Sequence, residues 1–418
     1  MKKTLTAFLL LVSLTVPAYG WNLSDHREIA RRALEDVAKD WGLDVPCEVH
    51  PLASFLDKLK PLREPLGDPW QFSASLKINP KVDLGTEDSL RFHEGGAKGK
   101  KSLTPIRILE LYSTDPDDGR DQDLFIRDAS GRPHAAFEDE KWFGAVQGPN
   151  SQAFRHIEKP PFSLAHPLRT LGIPFRSVGE ASQRAEIYFQ LSRLAFALEE
   201  DYWGWRFLAG GLHYLEDLHQ PYHAGQITPL LFRKGLGVLL SWGRKEKGFL
   251  GSFAHVVSNS HRFFETYVDR PEGRDGGLKD EALKAVGGTD LADVPGAIAD
   301  LARSVRDASN VQFGPLAEAV GRMTGESLYG SEEFFSDGDV SGVNSDPKDF
   351  ILEGPAFEEA NAAIFGIVMD RFASAGRVTR AYIHASLEDR KHPKTAGEIL
   401  LILDNLLGPM SDPIKPED

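Results

Sequence analysis

Residues Phe207-Leu208-Ala209-Gly210-Gly211-Leu212-His213-Tyr214-Leu215-Glu216-Asp217-Leu218-His219-Gln220-Pro221-Tyr222-His223 decide how the chain is read. The part up to Leu215 is apolar nearly all round, and a helix without a polar face belongs in a protein interior. His213 and Asp217 stand four residues apart, so on that helix they project from one face. Pro221 ends the helix and lets His223 turn back toward the same face. Gly210 lies on roughly that side, where a missing side chain lets another element approach closely. Unpaired charge in an apolar interior is costly, so His213 and Asp217 are either a hydrogen-bonded structural pair or members of a set of cation ligands. The further His223 favours the ligand reading. Imidazole and carboxylate suit zinc, and the two oxygens of a carboxylate let it bridge two ions. His219 reads as a structural or supporting residue.

Downstream, Asn259-Ser260-His261-Arg262-Phe263-Phe264-Glu265-Thr266-Tyr267-Val268-Asp269 repeats the same spacing in His261 and Glu265. Such a pair on a helix surface is common and contributes only tenths of a kcal/mol, ~0.2–0.5. Together with His223 it makes a three-ligand set that leaves a position for water or substrate. Other helices are expected over Asp25 to Lys39, where Ile29, Leu34 and Val37 alternate with charges, and from about Glu180 through Leu198. The interior helix should run from Trp205 to Leu218 after a break at Trp203-Gly204, with further helices over Pro355 to Ser374 and Thr395 to Leu407. Residues 44 to 110 give a mixed pattern. Thr114 to Gly148 is dense in Asp, Gly and Pro and reads as a long irregular loop, and Pro271 to Gly288 as a glycine-rich surface connection. With no internal repeat and no strand-rich section, the fold class reads as all-α.

At the other end, Lys2 and Lys3 precede an apolar run from Leu5 to Val16 that is shorter than the ~20 residues a membrane span needs. It closes on Ala18-Tyr19-Gly20, the pattern of a secretory signal peptide, so residues 1–20 are expected to be removed and the mature chain to begin at Trp21 in a secreted or periplasmic protein. A net charge of −14 argues against tight nonspecific binding to nucleic-acid backbones or anionic lipid. It leaves open a phosphate substrate at a metal site, whose local charge outweighs the global field. The single cysteine, Cys47, excludes an intramolecular disulfide, so core packing, metal or both must hold the fold. A free amine at Trp21 has an unperturbed pKa of about 7.7–8, and with its own carbonyl oxygen it can chelate a metal. His26 can supply the next ligand, although Trp21 also reads simply as a first core residue.

These segments together resemble the zinc-dependent phospholipase C family and its relatives, the single-strand-specific zinc nucleases. The resemblance rests on Trp21 and His26 at the start, on His213, Asp217 and His223 in the His-Tyr-Leu-x-Asp-x-x-x-Pro-x-His motif, and on His261 with Glu265. It spans about residues 21 to 385 but is dense only in those patches and in Gly376-Arg377-Val378-Thr379-Arg380-Ala381-Tyr382-Ile383. Leu218-His219-Gln220-Pro221 is closer to the nuclease form, and Glu265 followed by Tyr267-Val268-Asp269 to the phospholipase form. The family also uses an Asp and a His between the first helix and the central motif. His156 is placed in that role, with His93 and His166 as rivals, and Asp117, with Asp118 and Asp121 close behind. The alternating aspartates of 115–123 also read as a solvated turn or a calcium-type loop.

The resemblance implies one helical domain over 21–408, of the zinc-dependent phospholipase C type, with insertions at about 96–150 and 226–255 and a flexible tail at 409–418. It implies about three zinc ions. Asp217 would bridge two of them, one also bound by His213 and His156 and the other by Trp21 and His26, while His223, His261 and Glu265 hold the third. Asp117 is then both a metal-site residue and the candidate catalytic base. The implied activity is hydrolysis of phosphate esters, most simply of a phospholipid or another phosphodiester. A nuclease, stacking bases on Trp203 and Trp205, and a catalytically silent protein stapled by zinc are the alternatives. Residues 230–242, apolar with a basic flank, read as a packing helix or as a flap that touches a membrane surface.

Overall fold

The computed structural model describes residues 23–63, 99–117, 155–160, 178–225, 228–238, 240, 248–269, 278–325, 327–330, 351–352 and 354–407. The signal segment 1–20, Trp21, the tail 409–418, most of the loop 114–148, and the rivals His93, His166, Asp118 and Asp121 lie outside those residues. Among the described residues the architecture is helical, with strands confined to two antiparallel two-residue pairs.

The first helix, α1 (Leu23–Glu35), buries Ile29, Ala30, Ala33 and Leu34. Next come α2 (Leu52–Arg63) and α3 (Pro105–Tyr112), with β1 (Cys47–Glu48) pairing to β2 (Ser102–Leu103) between the two chain regions. The mixed reading of 44 to 110 thus resolves into short elements, each too brief to carry a periodic signature. Cys47 donates from Sγ to the Leu103 carbonyl, and burial pushes its thiol up to about 11, so it serves packing rather than nucleophilic chemistry.

The interior pair is α4 (Ala181–Ala197) and α5 (Asp201–Asp217), packed closely along their lengths. Residues 202 to 217 of α5 are all buried, as an apolar helix requires, and α1, α3, α4 and α12 (Pro355–Lys391) surround it. The expected break at Trp203-Gly204 is corrected: α5 runs through both residues. Gly204 is there for contact, since a Cβ on it would fall 2.4 Å from Cε1 of Phe196 on α4. Gly210 works the same way, with Tyr188 of α4 lying 2.5 Å from where its Cβ would be. Trp203 and Trp205 are core residues, 2% and 3% exposed, and offer no stacking surface.

After α5 the chain does not end its helix at Pro221. It leaves at Leu218, and Pro221 opens the short α6 (Pro221–Ala224), whose first turn is capped by the Gln220 side chain accepting from Tyr222 N at 2.8 Å. Then follow α7 (Pro229–Val238) and α8 (Gly248–Asp269), packed together. Leu231, Gly235 and Val238 of α7 face inward, while Leu236 and Leu240 are exposed.

A second correction concerns Pro271 to Gly288, expected as a surface connection. It contains α9 (Leu278–Val286), with Ala282, Leu283 and Val286 buried against α1 and α12. The flanking glycines hid an i, i+4 apolar pair too short to stand out. The long α10 (Ile298–Thr324), α11 (Ser327–Gly330) and α13 (Ala396–Leu407) complete the helices, and α12 extends well past the expected end at Ser374. Among the described residues no helix is long and apolar enough to cross a membrane.

Candidate metal centre

Eight of the nine residues singled out in the sequence as ligands are described, and they meet at the buried end of α5. His26 comes from α1, Asp117 from the turn after α3, His213 and Asp217 from α5, His223 from α6, and His261 and Glu265 from α8. His156 precedes β3 (Glu158–Lys159), which pairs with β4 (Val178–Gly179). Asp217 sits at the middle. Its Oδ2 lies 2.9 Å from His156 Nδ1 and 3.2 Å from His213 Nε2, and its Oδ1 3.6 Å from His26 Nε2. Asp117 faces the same imidazoles, with Oδ1 3.5 Å from His156 Nδ1 and 3.6 Å from His213 Nε2, and Oδ2 3.8 Å from His26 Nε2. The ring of His223 is 5.1 Å from that of His261, whose Nε2 is 2.7 Å from Glu265 Oε1.

Their ligand atoms form three groups, each within 4.8 Å: His26, Asp117 and His213; His156, His213 and Asp217; and His223, His261 and Glu265. His213 and the two aspartates hold the first two groups together, and His223 Nδ1 at 3.8 Å from Asp217 Oδ1 links the third. Trp21 is outside the described residues, so the structure gives it no position.

Neighbours fix the direction in which each imidazole points. His213 Nδ1 donates to the Ser113 carbonyl at 2.7 Å and His223 Nδ1 to the His156 carbonyl at 2.9 Å, which turns both Nε2 atoms inward. His26 Nδ1 meets Glu216 Oε2 at 2.7 Å, so its Nε2 also faces the cluster. An imidazole that donates its outer N–H to a carboxylate or carbonyl is the usual partner of a metal, because tautomer and orientation are set in advance. The turn bearing Asp117 is tied on both sides: Asp115 accepts from Arg206 of α5 at 3.1 Å, and Thr114 Oγ1 from Arg27 of α1 at 3.3 Å. Gln220 Nε2 donates to Glu265 Oε1 at 2.9 Å while its Oε1 caps α6.

The electrostatics are those of a cation site. Burial disfavours a charged His213, but Asp217, Asp117 and Glu216 outweigh it and lift its pKa to about 10. His26 and His261 are driven the other way, well below the usual imidazole value, first by burial and then by neighbouring imidazoles. Buried His26 Nε2 and Asp217 Oδ1 have no hydrogen-bond partner. Native proteins seldom leave such atoms unsatisfied, and soft-to-borderline nitrogen donors mixed with carboxylate oxygens fit zinc.

His219 stands apart, as expected of a supporting residue. Its Nδ1 donates to the Leu215 carbonyl, its Nε2 faces Ser374 Oγ at 3.2 Å, and burial pulls its pKa down to about 3. Sequence reasoning missed Glu216, Gln220, Arg206 and Lys159. Glu216 was the most legible, as a further ionisable residue in the apolar helix. Lys159 is buried, and that burial lowers its pKa to about 8 despite the nearby Glu265.

No family model, curated protein or solved structure matches the chain. Among the described residues, the fold and site are those of a mainly helical protein with three His/carboxylate clusters able to hold metal ions, an arrangement consistent with a hydrolase-like function.

Proposed function

We propose that the protein is an exported zinc-dependent phosphoric ester hydrolase, a phospholipase C-like phosphodiesterase. The observation that carries this reading is one aspartate, Asp217, shared between the His26 side and the His156/His213 side, with Asp117 facing the same imidazoles and the His223, His261 and Glu265 group alongside. His156, His213 and Asp217 would hold one zinc, His26 and the Trp21 terminus with Asp217 a second, and His223, His261 and Glu265 a third. When bound, the ions supply Lewis acidity that yields a nucleophilic water near neutral pH and neutralises charge on phosphate oxygens.

The residues of the chain do the positioning. Ser113, His156 and Glu216 hold the imidazoles of His213, His223 and His26 in the orientation that presents Nε2. Asp117, anchored through Asp115 and Arg206, accepts a proton from the attacking water at a carboxylate oxygen. No covalent nucleophile is required.

Removal of residues 1–20 would convert the Trp21 amide into an amine and so make it a ligand, which couples export to activation. Adding one residue before Trp21 of the mature chain should lower zinc content and activity, and full activity in that variant would refute the coupling. The exposed Leu236 and Leu240 near α7 are suited to touching a phospholipid surface through 230–242. The nuclease alternative is weakened by the burial of Trp203 and Trp205. Zinc-reconstituted mature protein should cleave phosphatidylcholine or a small phosphodiester in preference to single-stranded DNA; DNA cleavage would favour the nuclease, and hydrolysis of none the silent zinc protein.

A further inference from the structure

Gln220 is buried in the turn between α5 and α6, and both its main chain and its side chain end on ligand residues. Its N–H donates to the Asp217 carbonyl at 2.9 Å, and its carbonyl accepts from His223 N at 2.9 Å. The side chain crosses to α8, where Nε2 lies 2.9 Å from Glu265 Oε1 and 2.6 Å from His261 Nε2. Those two atoms of α8 are themselves 2.7 Å apart, so the amide closes a triangle with them.

The hydrogen bonds fix which way the carboxamide and the imidazole face. Tyr222 N needs an acceptor, so Oε1 points to α6 and the NH2 to α8. An amide nitrogen only donates, so His261 accepts at Nε2 and carries its proton on Nδ1. That is the tautomer with a lone pair at Nε2. Tyr222, held by the cap, stacks its ring on His261 with centroids 5.4 Å apart and 15° between the planes.

The residue type points to the same task. Ser, Thr, Asp and Asn are the favoured N-caps, and Gln is not among them. Its extra methylene is what carries the amide from α6 to α8. A cation on the third group would take the lone pair of His261 Nε2 from the amide, but a carboxylate oxygen has a second lone pair and can keep its bond from Gln220. The bond to the carboxylate is roughly twice as strong as one to a neutral acceptor, so the amide favours ligation more than it competes with it.

We propose that Gln220 is the positioning residue of the third ligand group, its carboxamide holding His261 and Glu265 of α8 against α6 so that they stand assembled with His223 for a cation. The proposal rests on the metal-centre reading and not on the phosphoric ester activity.

The test is a calorimetric titration of zinc into the chelator-stripped mature chain, with helical signal and urea midpoint measured on each variant. Glu265→Gln marks the third group as the equivalent of zinc that it loses. Gln220→Met removes both the cap and the reach, whereas Gln220→Asn keeps a favoured cap and is too short to reach α8. Both should weaken the marked equivalent ~10–100-fold and leave the others unchanged. Gln220→Asn should also keep the urea midpoint of the metal-free chain, and it decides alone if Gln220→Met fails to fold. Wild-type affinity in Gln220→Asn reduces Gln220 to a cap and overturns the proposal, as does equal weakening of every equivalent. A wild type that binds no zinc, or Glu265→Gln binding as wild type does, overturns it by removing the third group. Zinc binding that depends on Gln220 in a protein that cleaves no phosphoric ester keeps the positioning role and rejects the activity.

Discussion

Nε2 of His26 and Oδ1 of Asp217 face each other across 3.6 Å inside the protein, and neither has a hydrogen-bond partner. Leaving such buried atoms unmatched costs about 1–3 kcal/mol each. A cation between them satisfies both at once, so folding and metal binding should be linked. Stripping the mature protein with a chelator should lower its thermal midpoint, and zinc at about a hundred times its Kd should restore about 2.7 kcal/mol. A midpoint unmoved by chelator and by zinc would show that the cluster is satisfied without metal.

Asp217 serves two ligand groups and Glu265 one. Asp217→Asn removes the charge of a carboxylate whose two oxygens face the His26 side and the His156/His213 side, whereas Glu265→Gln affects only the group with His223 and His261. Elemental analysis should therefore find a larger deficit in Asp217→Asn than in Glu265→Gln. Activity in Asp217→Asn should fall on the order of 10³-fold, since the lost electrostatic stabilisation is several kcal/mol. Equal deficits in the two variants would contradict the bridging arrangement.

Gly211 touches α12. A Cβ there would lie 2.0 Å from the hydroxyl oxygen of Tyr382, which is itself buried without a hydrogen-bond partner. Gly211→Ala should destabilise by ~1–3 kcal/mol through overpacking, read from urea unfolding. Because the clash is with the hydroxyl, adding Tyr382→Phe should recover part of that loss. Failure of the second substitution to recover stability would show that the backbone, not the hydroxyl, carries the strain.

His50 and Glu200 form an ion pair at 2.8 Å, reinforced by Ser54 and Lys58. The hydrogen bond to Glu200 is the main reason that His50 titrates above its usual 6.5. Burial pushes Glu200 up, but its bonds from Ser54, Lys58 and His50 prevail and hold it below the usual carboxylate value. The sign follows from linkage: the His50 contribution is complete below 6.5 and lost as pH rises through its raised pKa, and that of Glu200 is lost as pH falls through its lowered pKa. NMR titration should show His50 returning toward 6.5 in Glu200→Gln, with a thermal midpoint lower by ~1 °C per kcal/mol lost. A His50 pKa indifferent to Glu200→Gln would rule out the pair as its cause.

Much of the molecule was legible because helices announce themselves locally. The apolar stretch around Leu212 had to be interior, and α1, α4, α12 and α13 follow their 3.6-residue periodicity to within a turn or so at most of their ends. The failures share a cause. Gly204 was read as a break because glycine weakens helices, yet in the folded protein it admits the ring of Phe196. The glycines around α9 suggested a surface connection, while its short apolar face is buried by α1 and α12. In each case packing against another helix overrode the local preference of the residue.

The sequence by itself determined the interior helix and the i, i+4 pairs that it and α8 carry, because backbone geometry alone places such residues on one face. It also supplied too many candidates: several aspartates after α3 and three histidines before α4. Only the tertiary structure brought Asp117 and His156 to Asp217 and aimed the imidazoles through Ser113 and Glu216. Those relations join residues far apart along the chain, and no local period encodes which of them will share a buried, charge-rich pocket.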